Sequence, residues 1–144
     1  ALTLEPNNIY ALGGASTLAK SLGRLDLAVR IQQQAVERDP LIANAFSELC
    51  LALFQSGRVD ESIVQCRKAL ELSPEDADAH QSLARALVLQ NQLAEAIYRY
   101  RRTLEIEPDR VGALLDLAWI IATAPNVELR VPAEGVRLAL GETP

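Results

Sequence analysis

The chain has 144 residues, 49 % of them hydrophobic and 4 % aromatic, with a formal net charge of −5. That is enough apolar mass for a continuous core, and the Leu- and Ala-rich balance favours helices over strands. The acidic total argues against nucleic acid, whose phosphates need a concentrated basic face, and no apolar run approaches the roughly 20 residues of a membrane-spanning helix.

A leucine-rich tail runs into Pro6 in the opening ALTLEPNNIY, and the same phrase returns at Pro40, Pro74 and Pro108, each 34 residues after the last. A fixed period of this size signals a repeat architecture. Residues 1–8 read as the end of a preceding second helix whose Leu2 and Leu4 lack a partner. With no initiator methionine, the chain is expected to be a piece of a longer repeat protein.

Repeat 1 (9–42) then opens with a helix carrying Leu12, Ala15, Ser16 and Ala19 at the i, i+3, i+4, i+7 spacing of one buried face. A break at LGRLD (22–26) leads to a second helix with Leu25, Ala28, Val29, Gln32 and Ala35. Repeat 2 (43–76) has Phe46, Leu49, Cys50 and Leu53, the break SGRVD (56–60), then Val59, Ser62, Ile63, Cys66 and Ala69. Repeat 3 (77–110) has His80, Leu83, Ala84 and Leu87, the break QNQLA (90–94), then Leu93, Ala96, Ile97, Tyr100 and Thr103. Repeat 4 (111–144) begins with Leu114, Leu117, Ala118 and Ile121 and then departs from the period. An extended loop is expected at 124–131, and a helix from Pro132, a residue suited to a first helical position.

Gly23, Gly57 and Asn91 are suited to the left-handed conformation that ends a helix. Pro40, Pro74 and Pro108 end the second helices, because proline cannot continue the hydrogen-bond ladder. Glu75 and Asp76 then fall near the start of the next helix, where its dipole favours negative charge. Small Ala77 and Ala79 allow close approach at the joint between helical pairs.

Little in the sequence suggests chemistry. Cys50 and Cys66 are too few for a disulfide framework and lack zinc-site spacing; on apolar stripes they are expected to be buried free thiols, with a disulfide as the alternative. The lone His80 reads as packing. There is no Ser-His-Asp arrangement, glycine-rich phosphate loop or metal spacing, so no catalysis, cofactor or metal is expected. The trio Arg99, Arg101 and Arg102 is read as a solvated helix face. The acid pairs Glu105/Glu107 and Asp76/Asp78 are likewise read as solvated.

Repetition at constant spacing, the small residues Ser16, Cys50, Ala84 and Ala118, those of the second helices (Ala28, Ser62, Ala96; Ala35, Ala69, Thr103) and the terminal prolines together resemble the tetratricopeptide repeat. Gln32 and His80 replace the family's apolar or aromatic residues, and Gly135 stands five residues late in the variant fourth repeat. Endings similar to LLDLAWIIATAP occur near the close of bacterial repeat arrays, which implies a bacterial origin; a cytoplasmic location is expected. The resemblance implies an all-α, right-handed superhelical solenoid of antiparallel helix pairs whose first helices line a concave groove.

Residues five after the first stripe member lie about 140° around the helix, off the buried face. That column holds Thr17, Leu51, Arg85 and Trp119, and the adjacent columns contain Tyr10, Asn44, Phe54 and Gln81. Tyr10, Asn44, Leu51, Phe54, Gln81, Arg85 and Trp119 are therefore the candidate partner contacts, although Phe54 and Val88 also suit inter-repeat packing. Chaperone-binding members of the family grip a terminal carboxylate with Lys, Asn and Arg. The corresponding positions here are Gly13, Thr17, Glu48, Asp78 and Ser82, so that clamp is missing. The expected function is a non-catalytic scaffold that binds a peptide or protein segment, without nucleic acid or membrane insertion. Two alternatives stand beside it: a substrate-selecting or assembly arm of a larger enzyme such as a glycosyltransferase, and self-association through the end helices.

Overall fold

A computed structural model of the chain describes residues 9–124, with the side chains of residues 9 and 10 left out. Among these residues there are seven helices and no strand: α1 (Ile9–Ser21), α2 (Leu25–Arg38), α3 (Ala43–Gln55), α4 (Val59–Leu72), α5 (Ala77–Leu89), α6 (Leu93–Ile106) and α7 (Val111–Thr123). The fold is an all-α helical-repeat solenoid. Helices α1–α4 belong to one compact unit and α5–α7 to a second, the division falling between Pro74 and Glu75. The expected terminal helix at 1–8, the loop beyond residue 124 and the helix from Pro132 lie outside the described residues.

The turn residues do what their conformational freedom allows. Gly23, Gly57 and Asn91 have φ of 72°, 82° and 58°. Each closes a Schellman motif. Arg24 N donates to Ala19 O (2.8 Å) and Gly23 N to Lys20 O (3.0 Å), a pattern repeated at Arg58/Leu53 with Gly57/Phe54 and at Gln92/Leu87 with Asn91/Val88. The second helices stop differently. Asp39, Ser73 and Glu107 are their C-caps and still donate to Ala35, Ala69 and Thr103, and the proline one residue later prevents further propagation. Asp76 caps α5, its Oδ1 accepting from Ala79 N at 3.0 Å.

In the first unit α1 packs on α2, α2 on α3 and α3 on α4; in the second, α5 packs on α6 and α6 on α7. Ala19, Ala28, Val29, Leu49, Ala52 and Leu53 form one buried cluster, and Leu12, Ala35 and Ala45 another. The second unit closes around Ala84, Ile97, Tyr100, Leu104, Ala113, Leu117 and Ile120. His80 and Gln32 are both buried.

The cysteines require a correction. Both are buried, but they are joined in a disulfide between α3 and α4 with Cα atoms 5.1 Å apart. The reason is local: small residues face each other across the hairpin, and Ser62, one turn before Cys66 on α4, donates to Cys50 O at 2.9 Å. The bridge closes a sequence separation of 16 residues. In the chain-entropy account a loop of that size stabilises the folded state by about 3 kcal/mol. Thiol titration of the denatured chain should find no free cysteine before reduction and two after it, and reduction should lower the urea midpoint accordingly. Two thiols without reductant would show that the hairpin holds itself closed by packing alone.

Candidate functional site

The candidate contacts are divided between the two units. In the first, Tyr10 lies in the first turn of α1, its side chain outside the described residues. Asn44 is exposed in the first turn of α3, and Leu51 and Phe54 are half-buried further along it. Gly13, Thr17, Asn44 and Glu48 line a cavity of about 180 Å³ whose other walls include Gln32 and Ala35. Lys20 Nζ donates to Glu48 at 2.5 Å and ties α1 to α3. Thr17 Oγ1 turns back to donate to Gly13 O at 3.1 Å. This cavity therefore presents an acid already matched by Lys20.

In the second unit polar side chains form two hubs. Arg110, immediately before α7, donates through Nη1 to Asp78 (2.7 Å) and Gln81 (2.8 Å) and through Nε to Glu107 (2.7 Å). Gln81 is thus buried and its side-chain oxygen is already engaged by Arg110. Asp116 on α7 accepts from Arg85 Nε on α5 (3.0 Å) and from Tyr100 OH on α6 (3.3 Å), tying three helices together. Gly112 makes room for this arrangement: a Cβ there would lie 3.1 Å from Gln81 Nε2 and 3.4 Å from Arg85 Nη2.

Beside the Arg85–Asp116 pair runs an apolar stripe. Val111, Leu115 and Trp119, at i, i+4 and i+8 of α7, are 63 %, 65 % and 62 % exposed, and Ala118 and Ala122 are exposed on the same side. No charged residue interrupts it.

Arg99 and Arg102 of the basic trio, and the acid pairs, differ from their solvated expectation. Arg99 pairs with Glu95, and Arg102 reaches Glu75 at 2.9 Å and also binds Glu105. Glu107 and Asp78 are held by Arg110, and Asp76 caps a helix. These charges are spent on one another at the joints between helices. Sequence reasoning missed Arg110, Tyr100 and Asp116 as a polar framework. One signal was present. Glu48 and Asp116 stand two periods apart, and each takes a cation from the preceding first helix, Lys20 and Arg85 respectively.

Among the described residues no group of His, Cys, Asp or Glu could hold a metal ion, and no helix is long and apolar enough to cross a membrane.

The sequence pattern of the tetratricopeptide repeat matches residues 14–77 and, in a second match, residues 53–115. The chain belongs to the tetratricopeptide repeat family. Among solved structures, it is similar to the first TPR of Spaghetti (RPAP3) bound to HSP90 peptide SRMEEVD, at 20 % identity over 88 % of this chain and 100 % of that one, with a TM-score of 0.79. It is similar to MamA at 21 % identity over 94 % of this chain and 78 % of that one, with a TM-score of 0.79. For the first TPR domain of human RPAP3 the values are 23 %, 80 %, 91 % and 0.76. At these identities the likeness is one of fold. No curated protein matches the sequence. The tetratricopeptide repeat is a protein-interaction scaffold, in general without chemistry of its own.

Burial pushes the Tyr100 phenol far above its ordinary range, the neighbouring Asp116 carboxylate adds to the shift, and Arg85 opposes it in part. Tyr100 consequently remains a donor to Asp116. An unfolded tyrosine loses its proton near pH 10, whereas the folded one keeps it. Above that pH the folded state binds more protons than the unfolded state, so stability falls as pH rises. Urea unfolding between neutral pH and pH 11 should show this alkaline slope, and Tyr100→Phe should reduce it. An equal slope in the variant would mean that Tyr100 titrates normally.

Proposed function

We propose that this tetratricopeptide repeat chain is a non-catalytic scaffold that captures a peptide or partner segment on the first helices, in the concave groove the family resemblance implies. The observation that carries the reading is the uninterrupted apolar stripe Val111–Leu115–Trp119 bordered by Arg85 and Asp116. Tryptophan is the residue type most often found at interaction hot spots, and a half-exposed ion pair beside it supplies direction and polar contact. Asn44, Leu51 and Phe54 on α3 are the contacts proposed for the first unit, with Tyr10 ahead of them on α1.

The partner's recognition should be apolar with peripheral hydrogen bonds. The sequence positions that supply cations and amides in a carboxylate clamp hold Gly13, Thr17, Glu48, Asp78 and Ser82 here, and Glu48 and Asp78 carry the wrong sign. The peptide seen on the RPAP3 repeat domain supports peptide capture by this fold in general.

A segment of this kind should bind with a Kd on the order of micromolar, about −8 kcal/mol. Peptides selected from a displayed library on the intact chain should lose at least about tenfold in affinity to a Leu51→Glu/Trp119→Ala variant, with helix content unchanged in circular dichroism. Arg85→Glu is the poorer probe, because it would set a second carboxylate against Asp116 and disturb α5–α7 packing. Retention of affinity in the double variant would remove the first-helix face from consideration.

A further inference from the structure

The 34-residue register allows the Asp116 hub of the second unit to be compared with its equivalent in the first. Two periods separate Asp116 from Glu48, Tyr100 from Gln32, Arg85 from Thr17, Gln81 from Gly13 and Arg110 from Ile42. In the second unit the acid is surrounded. Tyr100 is 1 % exposed and its hydroxyl donates to Asp116 at 3.3 Å, while Arg85 Nε donates to the same oxygen at 3.0 Å. In the first unit each of the four companion residues is smaller. A cavity of about 180 Å³ opens there, with Gly13, Thr17, Gln32, Ile42 and Glu48 among its walls. A Cβ added at Gly13 would meet nothing within 4 Å. The walls belong to α1, α2 and α3 with its N-cap residue, so every side is formed within the first unit.

The cavity lacks hydrogen bonds as well as volume. Gln32 is 3 % exposed, yet its carboxamide makes no hydrogen bond among the described residues. A buried amide in that state is unfavourable until something supplies its partners. Glu48 accepts from Lys20 through Oε2, which leaves Oε1 as an acceptor. Lys20 stands where the second unit has Val88, and it brings Glu48 the cation that Arg85 brings Asp116. The part without a counterpart is Tyr100: an aromatic ring that ends in a neutral donor. Ala35, Ile42 and Ala45 give such a ring apolar walls. The volume equals roughly six waters' share of liquid, which suits one side chain and not a helix.

We propose that this cavity receives a tyrosine side chain of the captured segment, a subsite that rests on the peptide-binding reading above. The ring lies over Gly13 against Ala35, Ile42 and Ala45, and its hydroxyl donates to Glu48 Oε1 while accepting from the Gln32 amide. Asn44, one of the contacts proposed for the first unit, lines the same cavity. Because Lys20 already neutralises Glu48, an arginine or lysine meets no unpaired charge. Phenylalanine would leave Gln32 and Glu48 Oε1 without partners.

The probe is N-acetyl-L-tyrosinamide, titrated into the isotopically labelled full chain. Backbone signals of residues 13–17, 32–35 and 42–48 should shift together, with a Kd on the order of 1 mM. N-acetyl-L-phenylalaninamide should bind about tenfold more weakly, and Glu48→Gln should bring the two probes close together, because the bond to a charged acceptor is lost. Gln32→Tyr fills the cavity from within and should abolish binding, with helix content unchanged in circular dichroism. Gly13→Gln, at a position open to added atoms, is the second plug and should do the same if the first variant fails to fold. No shift at about 10 mM tyrosinamide, shifts centred elsewhere, equal binding of the phenylalanine probe, or tighter binding of N-acetyl-L-argininamide would each overturn the proposal. So would binding that emerges only in Tyr10→Ala, since the chain's own tyrosine would then be the occupant. The probe spans no groove, so these failures leave peptide capture standing. Tyrosinamide bound by a chain whose selected peptides ignore Leu51→Glu/Trp119→Ala would instead remove the capture reading and keep the tyrosine site.

Discussion

The structure depends on close approach at the crossing of each helical pair. Ser16, Cys50 and Ala84 on the first helices, and Ala28, Ser62 and Ala96 on the second, are all fully buried. None of them removes much apolar area from water. What they permit is the interdigitation of larger neighbours such as Leu53, Leu83, Leu87 and Tyr100, for which burial is worth roughly 1.5–3 kcal/mol per aliphatic or aromatic side chain. A bulkier residue at a crossing would separate the helices and expose that gain, at a typical cost of about 1–3 kcal/mol. The Cys50–Cys66 bridge exists because one hairpin uses cysteine on both of its helices at this point.

The scaffold was legible because its determinants recur. Leu49 and Leu53, or Leu83 and Leu87, announce a helix face by spacing alone, and Gly23, Gly57 and Asn91 mark turns by the rarity of positive φ in other residues. The polar framework was less legible because it breaks the period. Arg110 occupies a position held by Ile42 and Asp76 in the earlier repeats, so register gave no warning that it would gather Asp78, Gln81 and Glu107. Pairing also depends on side chains reaching 27 to 32 residues along the chain, as Arg102 does to Glu75 and Arg110 to Asp78. A reading based on single faces treats such charges as solvated, since it has no term for a neighbour one repeat away. Arg85 was placed on the candidate face by the same column logic that placed Trp119, yet only the structure shows its guanidinium turned to Asp116.

That pairing has a consequence for recognition. Exposed ion pairs contribute little to stability, typically up to about 1 kcal/mol, so the hubs at Arg110 and Asp116 act chiefly by fixing orientation. Asp116 is the stronger case, because the buried Tyr100 hydroxyl shares it and cannot easily release its proton. With Arg85, Arg110 and Asp116 engaged internally, the surface beside them without polar commitments is the apolar one, Val111, Leu115 and Trp119. Specificity on such a surface comes from shape and from the few polar groups at its edge, which suits a segment with hydrophobic anchors better than a charged terminus.

In a repeat protein, comparison between copies shows where one departs from the others. The register that holds Ala45, Leu49 and Ala52 under α2 leaves Leu18 exposed and Ala11 and Ala15 half-buried, with leucine where the next hairpin has alanine. The register that supplies Glu61 to Arg58 supplies Leu27 to Arg24. Both departures enlarge apolar surface at the same edge, and both leave a cation beside it. Size at this register does not itself exclude a covering helix, since Ile120, three periods on, is buried beneath α6.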